Sequence, residues 1–134
     1  MQLQLIHNTL IKLKMDKCPK KYKERSFNLD FYPEYPEEHL NKFGIRFYLS
    51  IINPEKFKID IEYLSIFHTT DSVSDDFKNS QFPQVNAPAI AFPFLRSFIS
   101  NFTLNAGYEP VILPSINFIE YAARKEKELQ TIND

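Results

Sequence analysis

At 134 residues, 43% hydrophobic and 25% charged, the chain is long enough for one folded domain spanning 1–134 that buries about two-thirds of its unfolded surface. A formal net charge of −1 supplies no global field to draw in nucleic acid, and a lone cysteine, Cys18, excludes an intramolecular disulfide. No apolar run approaches the ~18–20 residues that cross a bilayer, and Met1–Ile6 lacks a basic n-region, so the expectation is a soluble cytoplasmic protein. Aromatic content is high, with thirteen Phe and seven Tyr. Such a chain either packs densely or presents aromatic surface to a partner.

Residues 2–15 alternate as a half-buried strand does, with Leu3, Leu5, Ile11, Leu13 and Met15 on one face. His7 and Thr9 interrupt the pattern near its middle, where a bulge would fit. A basic connection follows. Residues 1–25 hold seven Lys/Arg against Asp16 and Glu24, a local excess of five. Nucleic acid would want exposed aromatics among those charges, and Tyr22 is the one aromatic there, so a solvated loop is the better reading. Cys18 has no base beside it in sequence and reads as a surface residue.

Phe27, Leu29 and Phe31 alternate with polar residues in a second strand that Pro33 and Pro36 end. The third strand places Phe43, Ile45, Phe47, Leu49 and Ile51 on one face. Asn53–Lys56 is a turn, and the fourth strand carries Phe57, Ile59, Ile61 and Tyr63. Short connections make strands two to four antiparallel neighbours. Residues 68–81 are polar and read as a flexible crossover.

Pro93 opens a helix, with Phe94, Leu95, Phe98, Ile99 and Phe102 as its apolar stripe and Gly107 as its left-handed stop. An apolar segment, Val111–Phe118, leads to a second helix capped by Asn117. Ile119, Ala122 and Ala123 give that helix a thin apolar side, and its charged tail, Arg124–Glu128, is expected to fray. The predicted class is α+β: a four-stranded antiparallel sheet with two helices packed on one face.

No catalytic, phosphate-loop or metal-ligand motif occurs, and His7, His39 and His68 lie far apart, so neither an enzyme nor a cofactor or metal is expected. One sheet face and one helix stripe leave apolar residues over, among them Tyr48 and Ile52. Oligomerisation or an exposed apolar groove follows.

The runs Asn86-Ala87-Pro88-Ala89-Ile90-Ala91-Phe92-Pro93-Phe94 and Leu113-Pro114-Ser115-Ile116-Asn117-Phe118 resemble the signature of the SecB family of protein-export chaperones, over residues 82–121. The resemblance implies an ATP-independent holdase, a homotetramer built as a dimer of dimers, that holds unfolded polypeptides such as preproteins without nucleotide. By position it implies a client groove lined by Phe27, Leu29 and Phe31 on the strand, Phe94 and Phe98 on the helix, and Tyr108, Ile112 and Leu113 in the loop. It also implies an oligomer interface on the helix at Leu95, Ile99 and Phe102. The family's face for docking the translocase motor SecA falls on Leu10, Lys14, Lys58 and Asp60, where most of the expected acids are missing. Two alternatives follow: a specialised SecB-like chaperone protecting an antitoxin, or an assembly subunit with a single permanent partner.

Overall fold

Four strands, β1 (Leu3–Asp16), β2 (Ser26–Glu34), β3 (Lys42–Asn53) and β4 (Phe57–Thr69), form an antiparallel sheet of order β1-β4-β3-β2 in the computed structural model, which describes residues 1–133. The two strands first in sequence are therefore its two edges. Three helices follow: α1 (Asp75–Lys78), α2 (Ala87–Asn105) and α3 (Phe118–Asn133), with a π-helical turn, Phe82–Asn86, leading into α2. The chain divides into two compact units, Met1–Ser72 with the sheet and the residues from Val73 onward with the helices.

In the sheet, period-2 alternation carries the packing. Phe43, Ile45, Phe47 and Leu49 of β3 and Phe57, Ile59, Ile61 and Phe67 of β4 are buried on one face. Phe43 stacks on Phe67 with ring centroids 5.2 Å apart, and Phe31 leans on Phe47 at 6.1 Å. Each such side chain contributes about 1.5–3 kcal/mol when buried, which fixes the register across all three pairings.

The break in β1 resolves into two register shifts, between Leu5 and His7 and between Leu10 and Lys12. Each extra residue reverses the in–out parity, and the second restores what the first inverted. Asn8 rather than His7 therefore lies on the inward side, where its Oδ1 accepts a 2.6 Å hydrogen bond from the buried Ser65 hydroxyl. Ile11, expected inward, sits at the second shift and is 45% exposed. β2 runs through Pro33 to Glu34 instead of ending there, because an edge strand leaves half of its N–H groups outside the ladder. Cys18 is buried rather than on the surface.

The helical unit departs from the sequence expectation at its start. Pro88 takes the first turn of α2, and Pro93 lies inside the helix. Its missing N–H deprives the Ala89 carbonyl of its i+4 donor, and its ring crowds that carbonyl. The π-helical turn touches α1, α2 and α3 and buries Pro83 and Val85, so the helices gather on it. Phe77 stacks on Phe82 at 5.7 Å, and Phe92 meets Phe118 edge-on at 5.8 Å. Residues 68–81, expected to be a flexible crossover, finish β4 and form α1, where the Ser74 hydroxyl accepts from the Phe77 N–H at 3.1 Å.

Gly107 ends α2 as expected, with φ 99°. The Tyr108 N–H reaches the Thr103 carbonyl at 3.0 Å and the Gly107 N–H reaches Leu104 at 3.2 Å, the two bonds of a Schellman cap. Asn117 caps α3: its Oδ1 accepts from the N–H groups of Ile119 at 3.0 Å and Glu120 at 3.2 Å. Among the described residues of α3, Phe118 and Tyr121 are buried, whereas Ile119 is 61% exposed. Arg124–Glu128 stays helical, and the helix continues to Asn133.

Candidate functional site

Apolar side chains that the fold leaves at the surface are the candidate site, and they occur separately in each unit. In the sheet unit, Phe27, Leu29 and Phe31 share one face of edge strand β2, opposite Ile51, Leu49 and Phe47. Their exposure differs sharply: Phe27 is 37% exposed, while Leu29 and Phe31 are buried. Phe27 alone of the three is available to a ligand without rearrangement.

In the helical unit, Phe94 is 50% exposed, Tyr108 is exposed and Phe98 is half-buried. Ile112 is 76% exposed, and Leu113 beside it is buried. The alternation of Ile112 and Leu113 is fixed by Thr103. This buried residue donates its hydroxyl to the Ile99 carbonyl at 2.8 Å and accepts from the Val111 N–H at 2.9 Å, stitching the α2–α3 segment to the end of the helix. Arg96 Nη1 adds a 3.3 Å bond to Ser115. Nothing in a one-dimensional pattern singles out a threonine for that duty, and Thr103 went unnoticed in the sequence for that reason.

Helix α2 has two apolar aspects. Ala91, Phe92, Leu95, Ile99 and Thr103 are its buried side. Ile90, Phe94, Ser97, Asn101 and Leu104, spaced four, three, four and three apart, make an exposed line. Phe98 stacks on Phe102 at 6.1 Å beside that line. Leu95 and Ile99 are therefore unavailable to a second subunit, since both are fully buried within one chain, and Phe102 is half-buried. Ile90 and Leu104 are the aliphatic groups that face outward.

The other face of the sheet is polar and self-neutralising. Arg46 grips Glu34 through Nε and through Nη2 at 3.1 Å, and reaches Glu62 through Nη1 at 2.5 Å. These contacts, the hydrogen bond donated to Glu34 foremost, hold the guanidinium above its ordinary range although partial burial opposes it. Burial pushes the Tyr35 phenol up to about 12 and raises that of Tyr63. Tyr32 and Tyr48 meet edge-on at 5.9 Å.

Lys12, Lys14, Asp30, Tyr48, Asp60 and Glu62 line a shallow cavity of about 440 Å³ on the sheet. Lys58 pairs with Asp60 at 3.4 Å, Lys14 with Asp16 at 3.6 Å, and the Ser50 hydroxyl donates to Asp60. Lys14, Lys58 and Asp60 share this face, but Leu10 does not. The first register shift pairs it with Tyr63, on the opposite side. The four residues expected to form one docking face are thus split, and its single acid is already engaged.

Among the described residues no group of three or more His, Cys, Asp or Glu side chains is arranged to hold a metal ion, and no helix is long and apolar enough to cross a membrane. The chain is similar to an uncharacterised protein, MJ0357, of Methanocaldococcus jannaschii, 33% identical over 75% of this chain and 66% of the relative. It is also similar to the protein-export protein SecB of Roseobacter denitrificans, 34% identical over 54% of this chain and 45% of that protein. The matches thus span about half to two-thirds of the length of these curated relatives.

Among solved structures, the Mycobacterium tuberculosis Rv1957 SecB-like chaperone, in complex with a ChAD peptide from the Rv1956 HigA1 antitoxin, superposes with a TM-score of 0.61 at 15% identity, over 85% of this chain and 87% of that one. A Streptococcus agalactiae protein of unknown function shares the fold at a TM-score of 0.53 and 14% identity, over 85% and 98%. The model of the preprotein translocase subunit SecB matches residues 38–128, well over half of the chain, and the chain belongs to the SecB family.

Proposed function

We propose that this protein is an ATP-independent SecB-like holdase that binds unfolded polypeptides, using exposed apolar side chains carried on rigid secondary structure. The observation that carries the reading is the exposure of Phe27, Phe94, Tyr108 and Ile112 on strands, helix and a tied-down segment. Large side chains held out in water by a stable frame gain free energy from any apolar segment that covers them, whatever its sequence. Many weak contacts along one client chain then sum to useful affinity. Edge strand β2 adds main-chain donors and acceptors that pair without regard to sequence. None of this requires nucleotide or a metal. The family's tetrameric assembly and cytoplasmic setting belong to the same reading.

A second reading has a specific observation in its favour. The structural relative from Mycobacterium tuberculosis is a SecB-like chaperone seen with an antitoxin peptide, and the neutralised face around Lys14, Lys58 and Asp60 gives a translocase motor such as SecA little charge to read. Service to one antitoxin-like client is therefore the alternative to general preprotein holding.

The test is light scattering of a chemically unfolded precursor diluted into stoichiometric amounts of the protein without nucleotide. Aggregation is expected to be suppressed, and Phe27→Asp with Ile112→Asp to abolish most of the suppression. Both side chains are exposed, so the double variant keeps its fold. Leu29→Asp would not serve, because a buried carboxylate there would unfold the sheet. Unchanged aggregation with the native protein sinks the general holdase, and selective binding of one antitoxin-type peptide would then establish the specialised role.

A further inference from the structure

The nine residues from Lys17 to Arg25 connect the two edges of the sheet, since β1 ends at Asp16 and β2 begins at Ser26. The connection crosses the ends of β4 and β3, three strand spacings or about 14 Å. It carries Lys17, Lys20, Lys21, Lys23 and Arg25 against a single acid, Glu24, and all five cations are exposed. Lys21 Nζ lies 5.1 Å from the centroid of the Tyr22 ring; Lys17, Lys20, Lys23 and Arg25 make no ion pair among the described residues.

The connection is anchored rather than loose. Cys18 is buried, Tyr22 is half-buried, and the Tyr22 N–H closes a turn onto the Pro19 carbonyl at 3.2 Å. The β3–β4 turn at the same end of the sheet adds Glu55 and Lys56, which cancel. Of the 16 Lys/Arg and 17 Asp/Glu in the chain, seven and two fall in residues 1–25, which leaves nine and fifteen elsewhere. The rest of the molecule is thus net −6 and would repel a long polyanion. Tyr22 is engaged by Lys21 and offers no stacking platform for bases. Two residues beyond Arg25 stands Phe27, the exposed aromatic at the start of edge strand β2.

We propose that this basic connection selects, among the polypeptides the protein binds, segments in which acidic residues flank an apolar run. The acids rest on Lys17, Lys20 and Lys23, and the apolar run covers Phe27 and follows the β2 edge. The inference rests on the polypeptide-binding reading above and adds the class of client.

The experiment is fluorescence anisotropy of the full chain with two labelled peptides that share one apolar run and differ only in their flanks, Glu in one and Gln in the other. The Glu-flanked peptide is expected to bind about tenfold tighter at about 0.05 M salt, since three or four exposed ion pairs sum to that much. The advantage should vanish near 0.5 M salt, where exposed charges are screened. Lys17→Gln/Lys20→Gln/Lys23→Gln should erase it while leaving the Gln-flanked peptide unaffected. Equal affinity for the two peptides would overturn the selection and leave the holdase reading standing. Binding of neither would overturn both. A single-stranded oligonucleotide bound more tightly than the Glu-flanked peptide would also overturn the proposal, in favour of a nucleic-acid site.

Discussion

Gly107 shows how one residue sets the frame for the apolar segment that follows it. At φ 99° an L side chain is strained, yet a Cβ placed there would meet no atom within 4 Å. The cost of substitution is therefore backbone strain alone, about 1–2 kcal/mol for alanine. Gly107→Ala is expected to lower the unfolding free energy measured in urea by that amount, with Gly107→Asn losing less because Asn tolerates left-handed backbone better. A midpoint unchanged by alanine would mean that the cap relaxes and that the Thr103–Tyr108 bond does not hold the segment. The glycine was legible in the sequence because a helix pattern stopped there. Thr103 was not, because its work is a hydrogen bond to Val111, eight residues on, and no local pattern encodes that.

At the level of elements, strands were read from sequence more faithfully than helices, and the reason is physical. Alternation in β3 and β4 is uninterrupted, so burial follows the pattern residue by residue. In β1 two extra residues invert and then restore the parity, which a rule of period two cannot follow beyond the first break. Leu10 was placed on the docking face by its position in the family pattern, and counting positions misses the shift after Leu5 that turns it to the other face. The α2 stripe was read as one face for another cause. Phe94, Leu95, Phe98, Ile99 and Phe102 fall at helical spacing, but a helix apolar on two sides gives no sign in sequence of which side is covered, and Leu95 and Ile99 are buried while Phe94 is exposed. Pro93 invited a helix start because its ring is tolerated in a first turn, and Pro88 already fills that place. An interior proline leaves the Ala89 carbonyl without its helical donor, so Pro93→Ala should stabilise α2, by about 1–3 kcal/mol. Thermal unfolding checks it: a raised Tm is expected, and a lowered one would show that the chain depends on the bend the proline imposes.

At the scale of the whole molecule, the exposed line of α2 is the feature that a single chain leaves unanswered. Ile90, Phe94 and Leu104 stand 41%, 50% and 55% exposed along one helix whose opposite side is buried. Exposed apolar side chains at helical spacing from Ile90 to Leu104, interrupted by Ser97 and Asn101, favour association of like helices, since a second copy offers the same line in return. We propose that any assembly through α2 uses Ile90 and Leu104, which are exposed, rather than Leu95 and Ile99, which a single chain buries. Ile90→Glu with Leu104→Glu is expected to convert the oligomer into smaller species, measured by light scattering behind a sizing column, without loss of far-UV helix signal. Leu95→Val, in contrast, should cost about 1 kcal/mol of stability and leave the mass unchanged, because it removes a buried methylene group from one chain. If the glutamate pair keeps the native mass while Leu95→Val dissociates the oligomer, subunits meet through the side of α2 that a single chain buries, and association must open that side first.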